Sequence, residues 1–172
     1  MLDGTYAEPR DVREPPPGAR LWPSVGEIVH YLDTVRSAAL DIEWAGPHIV
    51  MVGLWGRGPY GVHGGLTVRF RIDGRPNDSW TYAEWCRVVS ALYTWLARPD
   101  VRKSMQNGQS SDVWMLERIG FRVEGYDFDT MLAMHVADPE RKKDLEGMAV
   151  ALADVPHWKW LAKGEPTVGE GK

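Results

Sequence analysis

The sequence contains a single cysteine, Cys86, among its 172 residues, so it cannot form an internal disulfide bond. It also lacks the basic and apolar N-terminal pattern of a secretory signal, and together these absences predict a reducing, cytoplasmic setting. The longest nearly continuous apolar stretch runs from Ile49 to Trp55, less than half of the roughly 20 residues that a membrane-spanning helix needs. We therefore expect neither a disulfide scaffold nor insertion into a membrane.

An excess of positive charge is also missing. Twenty Lys and Arg residues face 24 Asp and Glu residues, which gives a formal net charge of −4. Proteins that hold nucleic acid through a broad basic surface have the opposite balance, so any contact with phosphates must come from a local site. The hydrophobic fraction of 44% is that of an ordinary globular protein, and the length is sufficient for one domain.

The two ends of the chain differ in composition from its middle. Residues 1–20 contain four prolines and show no apolar periodicity, so we expect a mobile leader there. Residues 21–163 carry the periodic apolar patterns of a globular domain, and residues 164–172 form a polar tail. We expect one domain over residues 21–163.

The apolar periodicity predicts an α/β protein. Two capping-box patterns, Ser24 to Glu27 and Thr81 to Glu84, each begin an amphipathic helix, the first over residues 25–36 and the second stopping before Pro99. The second helix is expected to bury Trp85 and Trp95. The remaining patterns predict strands at 38–44, 48–55, 67–73, 101–106 and near 125, and helices at 112–120, 129–136 and 144–153. This order predicts a mixed sheet flanked by helices, with the first three strands antiparallel.

Two carboxylates interrupt the first predicted strand. Asp41 and Glu43 are two positions apart, so their side chains point to the same face of the strand, where their like charges repel. Solvated acids at a strand end are the commoner explanation of such a pair. Here the pair follows apolar residues within the strand, where a charged side chain is costly unless a cation neutralises it. The pattern therefore favours a cation site.

A third carboxylate, Asp112, begins a predicted helix. It follows a stretch of amides and hydroxyls that includes Asn107 and Ser111, groups suited to positioning a phosphate or a metal-bound water. An aspartate at this position is most often an N-cap, and the segment alone does not distinguish the two roles.

Four short segments follow one another along the chain: Leu40-Asp41-Ile42-Glu43; Gln106-Asn107-Gly108 with the following Asp112; Asp129-Thr130-Met131-Leu132 with the later Pro139-Glu140; and Pro156-His157-Trp158-Lys159. In this order they resemble the 3′–5′ exonuclease domain of phage-type family A DNA polymerases, which belongs to the DnaQ-like (DEDD) exonucleases. The resemblance covers about residues 22–160. It implies a ribonuclease H-like fold and an enzyme that hydrolyses the terminal phosphodiester of single-stranded DNA.

The resemblance also implies roles for individual residues. Asp41 would bridge two divalent ions, Mg²⁺ or Mn²⁺, while Glu43 would bind the ion that carries the attacking water and Asp112 would hold the other. In such sites the two ions lie roughly 3.5–4 Å apart. Asn107 is similar to the amide of the family's second motif and would contact the substrate. The implied partners are a single-stranded DNA 3′ end and a polymerase domain in the same or another chain.

Two features depart from the family pattern. Asn107 and Asp112 are five residues apart, where the family is expected to have four. The third motif, a tyrosine and an aspartate on a C-terminal helix, is not found, which predicts a C-terminally truncated domain. Asp129 is better explained as an N-cap than as the fourth carboxylate.

Nine tryptophans are many for this length, and most are expected to pack in the core. Trp44 follows the paired carboxylates and Trp114 follows Asp112, so these two are candidates for stacking on a base. Two alternatives remain at this stage. One is a catalytically impaired exonuclease-like scaffold or nucleic-acid-binding module, and the other is an exonuclease similar to ribonuclease D that acts on RNA.

Overall fold

The computed structural model describes residues 17–57, 63–72, 75–76 and 80–153. These residues divide into two compact units, 17–133 and 134–153. The predicted leader up to residue 16, most of the loop after Arg57, the Pro156-His157-Trp158-Lys159 segment and the predicted tail lie outside the described residues.

The larger unit contains the described strands. They are β1 (Ala19–Arg20), β2 (Ser37–Ala45), β3 (His48–Arg57), β4 (His63–Arg69), β5 (Arg71–Ile72), β6 (Arg75–Pro76), β7 (Arg102–Met105) and β8 (Tyr126–Asp129). Six of them form one sheet in the order β1-β4-β3-β2-β7-β8, and β5 pairs with β6 in a separate small sheet.

Strand direction changes at β2, in the middle of the main sheet. β2 pairs with β3 and β3 with β4 in antiparallel fashion, which confirms the prediction for the first three strands. On its other side β2 pairs in parallel with β7, which in turn pairs in parallel with β8. The fold class is therefore a mixed α/β sheet with flanking helices, as predicted.

Five helices are described, and the first two begin at the predicted capping boxes. They are α1 (Val25–Thr34), α2 (Tyr82–Leu96), α3 (Asp112–Arg118), α4 (Thr130–Ala137) and α5 (Leu145–Ala153), and a 3-10 turn over Gly108–Ser110 precedes α3. At α1 the Ser24 hydroxyl accepts the Glu27 N–H at 3.3 Å, and the Glu27 carboxylate accepts the Ser24 N–H at 2.8 Å. The Thr81 and Glu84 pair does the same for α2. Both caps satisfy N–H groups that would otherwise lack partners at the helix start.

The core lies on one face of β2. Alternate residues Ala38, Leu40 and Ile42 are buried there, and they belong to one cluster with apolar residues of β3, β4, α1 and α2. The helix α1 contacts α2. The opposite face of β2 is exposed, so the strand separates the core from the surface that carries Asp41 and Glu43.

A buried lysine anchors the start of β7. The side chain of Lys103 is completely buried, and its Nζ donates hydrogen bonds to the carbonyl oxygens of Arg98, Val101 and Glu124 at 2.9, 3.0 and 2.7 Å. Three donors on the ammonium thus meet three acceptors, which offsets the cost of burying the charge. The lysine joins the chain before β7 to the chain before β8.

Four details differ from the predictions. The first helix ends at Thr34, because Val35 is already extended at φ −70° and ψ 134°. The predicted third strand is divided between β4 and β5, and the last two residues of the predicted leader form β1 beside β4. Trp85, expected in the core, is 42% exposed and stacks on Tyr82.

The smaller unit contains the end of α4, which it shares with the larger unit, and α5. The Asp144 carboxylate accepts the Gly147 N–H at 2.9 Å and caps α5, which agrees with the helix predicted at 144–153. No helix in the described part of the chain is long and apolar enough to cross a membrane.

Candidate active site

Asp41 and Glu43 lie side by side on the exposed face of β2, as the two-residue spacing predicts. The strand alternates strictly over Ser37–Glu43, with buried Leu40 and Ile42 between the exposed residues. A pairing irregularity between Glu43 and Trp44 then interrupts the ladder with β3. The two carboxylates therefore lie at the end of the regularly paired part of β2.

Asp112 reaches the same strand from α3. The parallel ladder between β2 and β7 extends only from Ser37 to Ala39 and ends before Ile42. The N–H of Ile42 instead donates to Oδ1 of Asp112 at 3.1 Å. Since Ile42 separates Asp41 from Glu43 in the chain, this bond places the Asp112 carboxylate at the edge of β2 beside the residue between the pair.

The Asp112 carboxylate is almost fully buried. The residue is 5% exposed, and its Oδ2 accepts the Ser111 hydroxyl at 2.6 Å. Burial raises the pKa of Asp112 above its ordinary value, although the hydrogen bonds from Ser111 and Ile42 oppose this shift. Each oxygen accepts one hydrogen bond and retains a lone pair for a further ligand.

The charges of Glu43 and Asp112 act on Asp41. The pKa of Asp41 is raised, first by loss of solvation around its carboxyl and then by the negative charges of Asp112 and Glu43. Asp41 therefore lies in the negative electrostatic field of the other two carboxylates. A bound cation would relieve the repulsion, so the arrangement favours positive charge.

The donor chemistry of this group fits a hard divalent ion. Mg²⁺ takes oxygen ligands and usually binds proteins through one or two carboxylates, with water and substrate phosphates completing its coordination. Within the ranges that the structure describes, no group of three or more His, Cys, Asp and Glu side chains is arranged to hold a metal ion. The residues therefore fit an ion held by one or two carboxylates, and they do not form a closed protein cage.

The segment between β7 and α3 accounts for the unusual spacing of Asn107 and Asp112. Asn107 has a left-handed backbone at φ 55°, and the 3-10 turn over Gly108–Ser110 occupies the residues between them. The carbonyl oxygen of Asn107 accepts the Ser111 hydroxyl at 2.8 Å. The five-residue spacing is thus accommodated by a compact turn that delivers Asp112 to β2.

Asp129 has a larger role than the sequence predicts. It caps α4 as expected, since its Oδ1 accepts the N–H groups of Met131 at 2.8 Å and Leu132 at 3.2 Å. It also accepts the backbone N–H of Asn107. Only the cap has a sequence signal, because the other donor lies 22 residues away and is brought near by the pairing of β7 with β8.

The two tryptophans proposed for base stacking lie in different surroundings. Trp44 is half-buried and packs partly against the core. Trp114 is 54% exposed, with the guanidinium of Arg118 above its ring at 5.4 Å. Trp114 is two residues after Asp112, and side chains two apart on a helix point in directions about 200° apart. Trp114 therefore faces away from the buried side of α3 where Asp112 lies.

No protein-family model matches the sequence, and no curated protein sequence matches it significantly. Solved structures with the same fold do match. The POL domain of Pol1 from M. smegmatis, in complex with DNA primer-template and dNTP, aligns with a TM-score of 0.56 and 19% identity, over 79% of this chain and 22% of that one. Ribonuclease D from Trypanosoma brucei, in complex with RNA U12, aligns with a TM-score of 0.56 and 16% identity, over 84% of this chain and 50% of that one.

The Nibbler EXO domain from Aedes aegypti is a third similar structure. It aligns with a TM-score of 0.53 and 14% identity, over 84% of this chain and 72% of that one. At these identities the similarity establishes the fold alone, a mixed α/β sheet of the ribonuclease H-like type. The chain spans half or less of the Pol1 and ribonuclease D chains.

Proposed function

We propose that this chain is a metal-dependent 3′–5′ exonuclease that hydrolyses the terminal phosphodiester of single-stranded DNA. One observation carries the proposal: Asp112 accepts the N–H of Ile42 and so lies against the strand that presents Asp41 and Glu43. The proposed site thus draws on three carboxylates from two separate elements, two exposed on β2 and one buried beside that strand. A solvated surface pair would not require the third, buried acid.

The proposed cofactor is Mg²⁺ or Mn²⁺, two ions held by Asp41, Glu43 and Asp112 together with substrate and water. Such ions activate water and stabilise the leaving oxygen. Asp41 and Glu43 are exposed and can reach a substrate, whereas Asp112 is held from behind by Ile42 and Ser111. In the proposed site the exposed pair faces the substrate, and Asp112 is the third ligand, held in place by the two hydrogen bonds.

The proposed substrate contacts are Asn107, Trp44 and Trp114. Trp114 offers the most exposed ring of these, and Arg118 above it adds positive charge where a nucleotide would stack. Because Trp114 faces away from Asp112, its proposed contact is with a base upstream of the terminal nucleotide. Asn107 borders the turn that leads to Asp112 and is suited to contact the strand end.

A proofreading role beside a polymerase domain is the form of this activity that we propose, in the cytoplasm. The M. smegmatis Pol1 structure contains DNA primer-template, whereas the T. brucei ribonuclease D structure contains RNA, and both have the same TM-score. The sequence segments named above favour DNA. RNA remains the alternative substrate.

A scaffold or nucleic-acid-binding module without catalysis is the second candidate. One observation favours it: both oxygens of Asp112 already accept hydrogen bonds, and within the described ranges no three acids are arranged as a metal cage. A scaffold, however, gains nothing from carboxylates whose charges raise the pKa of Asp41.

Degradation of a 5′-labelled single-stranded oligonucleotide tests the proposal. We expect the full chain to shorten DNA stepwise from its 3′ end with Mg²⁺ or Mn²⁺, and EDTA to stop the reaction. Asp41→Asn should lower the rate by at least about 100-fold, because it removes a metal-binding charge. Asp33→Asn, which changes an exposed acid of α1, is the matched control and should retain the rate.

The outcomes separate the candidates. If a matched RNA oligonucleotide were degraded faster than the DNA, RNA would be the preferred substrate and the proposal of DNA would be wrong. Binding of the oligonucleotide without degradation in either metal would support the scaffold. Equal rates for Asp41→Asn and the unaltered chain would refute the assignment of the site.

A further inference from the structure

Asp129 gathers hydrogen bonds from three parts of the chain. Its Oδ1 accepts the N–H of Asn107 at 3.1 Å in addition to the two capping bonds of α4. Its Oδ2 accepts the N–H of Gly108 at 2.9 Å and the hydroxyl of Tyr126. The residue is 7% exposed. One carboxylate thus ties the end of β7, the strand β8 and the start of α4 together.

A helix cap alone does not require this arrangement. Capping uses one side-chain oxygen and the first N–H groups of the helix, and here Oδ1 performs that task. The second oxygen is directed at Gly108, in the turn before α3. A side chain at Gly108 would collide with Met105, since a Cβ would lie 2.6 Å from its atoms, so the backbone is packed closely at this point.

The turn held by Asp129 leads directly to the proposed site. Asn107 and Gly108 are the first residues of the turn, and the Asn107 carbonyl accepts the hydroxyl of Ser111. That hydroxyl has a single proton, which it can give either to the Asn107 carbonyl or to Oδ2 of Asp112, and the other oxygen of Asp112 accepts the Ile42 N–H. The backbone bonds of the turn, Ser110 N–H to the Asn107 carbonyl and Ser111 N–H to the Gly108 carbonyl, complete the connection from Asp129 to Asp112 and the strand that carries Asp41 and Glu43.

We infer that Asp129 is a positioning residue for the nuclease site: by fixing the backbone of Asn107 and Gly108, it holds Asp112 against Ile42. The inference rests on the proposed function. Asp129 does not contact substrate in this role and is not a catalytic residue. Its loss should displace Asp112 and slow the reaction, while the exposed Asp41 and Glu43 should keep their positions on β2.

The charge state of Asp129 agrees with this role. Burial alone would raise its pKa, but the Tyr126 hydroxyl and the N–H groups of Leu132, Asn107 and Met131 outweigh it, and the pKa is lowered. An ionised carboxylate offers only acceptors, and all the groups that point at it are donors.

Three variants test the inference. Asp129→Ala removes every acceptor. Asp129→Asn keeps one oxygen for the bonds made by Oδ1 and replaces the other by an amide that cannot accept from Gly108. Ser24→Ala removes a cap of the same kind at α1 and is the control for a general loss of stability. Each is compared with the unaltered chain by amide hydrogen exchange of Ile42 and by the kcat and KM for a single-stranded oligonucleotide.

We expect Asp129→Ala to speed exchange at Ile42 and to lower kcat by about 10-fold or more. KM should change less than kcat, and only through Asn107, whose backbone Asp129 also holds. Asp129→Asn should fall between Asp129→Ala and the unaltered chain in both measurements. Ser24→Ala should leave kcat unchanged and should alter exchange at Ile42 no more than at other core amides.

The two measurements separate this inference from the proposed function. If the unaltered chain does not degrade DNA or RNA, the proposed function fails, and the exchange at Ile42 still reports whether Asp129 positions Asp112. If the chain is active but Asp129→Ala matches Ser24→Ala at Ile42 and in kcat, the inference is wrong. Should Asp129→Ala not fold, unaltered values for Asp129→Asn would overturn it.

Discussion

The backbone N–H of Ile42 and Oδ1 of Asp112 lie 3.1 Å apart and join two residues that are 70 positions apart in the chain. The N–H belongs to a buried part of β2 beyond the last pair with β7. A buried donor without an acceptor costs about 1–3 kcal/mol. Asp112 therefore satisfies the backbone of the same strand whose carboxylates it joins.

This relationship predicts different results for two substitutions of Asp112. Asp112→Ala leaves the Ile42 N–H without an acceptor and should lower the free energy of unfolding by about 1–3 kcal/mol. Asp112→Asn retains an acceptor oxygen and should be close to the unaltered chain in stability. Both should lose nuclease activity. Urea unfolding measures the stabilities, and equal destabilisation by both substitutions would contradict the role of the Ile42 bond.

Asp41 should lower the stability of the folded protein. Its pKa is raised above the ordinary value of 3.8, so the folded state disfavours the charged form. Removal of the charge in Asp41→Asn should raise the free energy of unfolding at neutral pH, by about 1 kcal/mol or less. The gain should be absent at pH values where the carboxyl is protonated in both states and should grow as the pH rises above 3.8.

The control for that prediction is Asp100→Asn, whose effect should have the opposite sign. The hydrogen bond from Arg98 lowers the pKa of Asp100, so its charge stabilises the folded state above the ordinary pKa, and this stabilisation is lost as the pH falls through the folded pKa. Chemical unfolding of both variants and of the unaltered chain at several pH values measures how each substitution changes the free energy of unfolding with pH. If the change in unfolding free energy varied with pH in the same sense for both variants, the raised pKa of Asp41 in the folded state would be contradicted.

Replacement of Lys103 by methionine should be costly. Lys103→Met keeps much of the side-chain volume but leaves the carbonyl oxygens of Arg98, Val101 and Glu124 without their donor. Each buried acceptor left unsatisfied costs about 1–3 kcal/mol, so a total loss of about 3 kcal/mol or more is expected. Arg102→Ala, one residue earlier, removes only an exposed ion pair with Asp127 and should cost under about 1 kcal/mol.

Two glycines with positive φ should respond differently to alanine. A Cβ at Gly125 would lie 2.3 Å from the carbonyl oxygen of Val101, whereas a Cβ at Gly120 would have no atom within 4 Å. Gly120→Ala should cost about 1–2 kcal/mol from backbone strain alone. Gly125→Ala should cost more, because the chain before β7 must also move. A similar fall in melting temperature for both would contradict the close approach at Gly125.

Trp114 should influence binding of the strand but not the chemical step. Stacking on a base is worth about 1–3 kcal/mol, so Trp114→Ala should raise KM for a single-stranded oligonucleotide by about 5-fold or more and leave kcat unchanged. The control is Trp85→Ala, which removes another exposed ring on α2. An unchanged KM would exclude Trp114 from the substrate path.

The parts of the fold that the sequence predicts well depend on neighbours along the chain. Both capping boxes form because a hydroxyl and a glutamate three residues later meet in one turn. Asp41 and Glu43 share a face because the strand has a period of two. Trp85 shows the limit of this reasoning, since helical periodicity gives the direction of a side chain but not how far the core extends.

The rest of the site depends on pairs that only the folded chain creates. Asp112 finds Ile42 because β7 diverges from β2 after three residue pairs, and no local pattern encodes that divergence. Asp129 looks like a cap in the sequence because its capping donors follow it directly, while Gly108 and Tyr126 precede it. The resemblance to exonuclease segments linked Asp112 with Asp41, but it gave no indication of the bond that joins them.

The ladder between β2 and β7 has three residue pairs, and the space that Asp112 occupies beside Ile42 exists because β7 ends its pairing there. Each added residue pair would carry the two strands about 3.3 Å farther together. Pairing extended as far as Ile42 would supply its N–H with a main-chain acceptor and leave no place for Asp112. An insertion that lengthens β7 could therefore abolish the site while every acidic residue is kept, and substitutions within β7 that preserve its end would not.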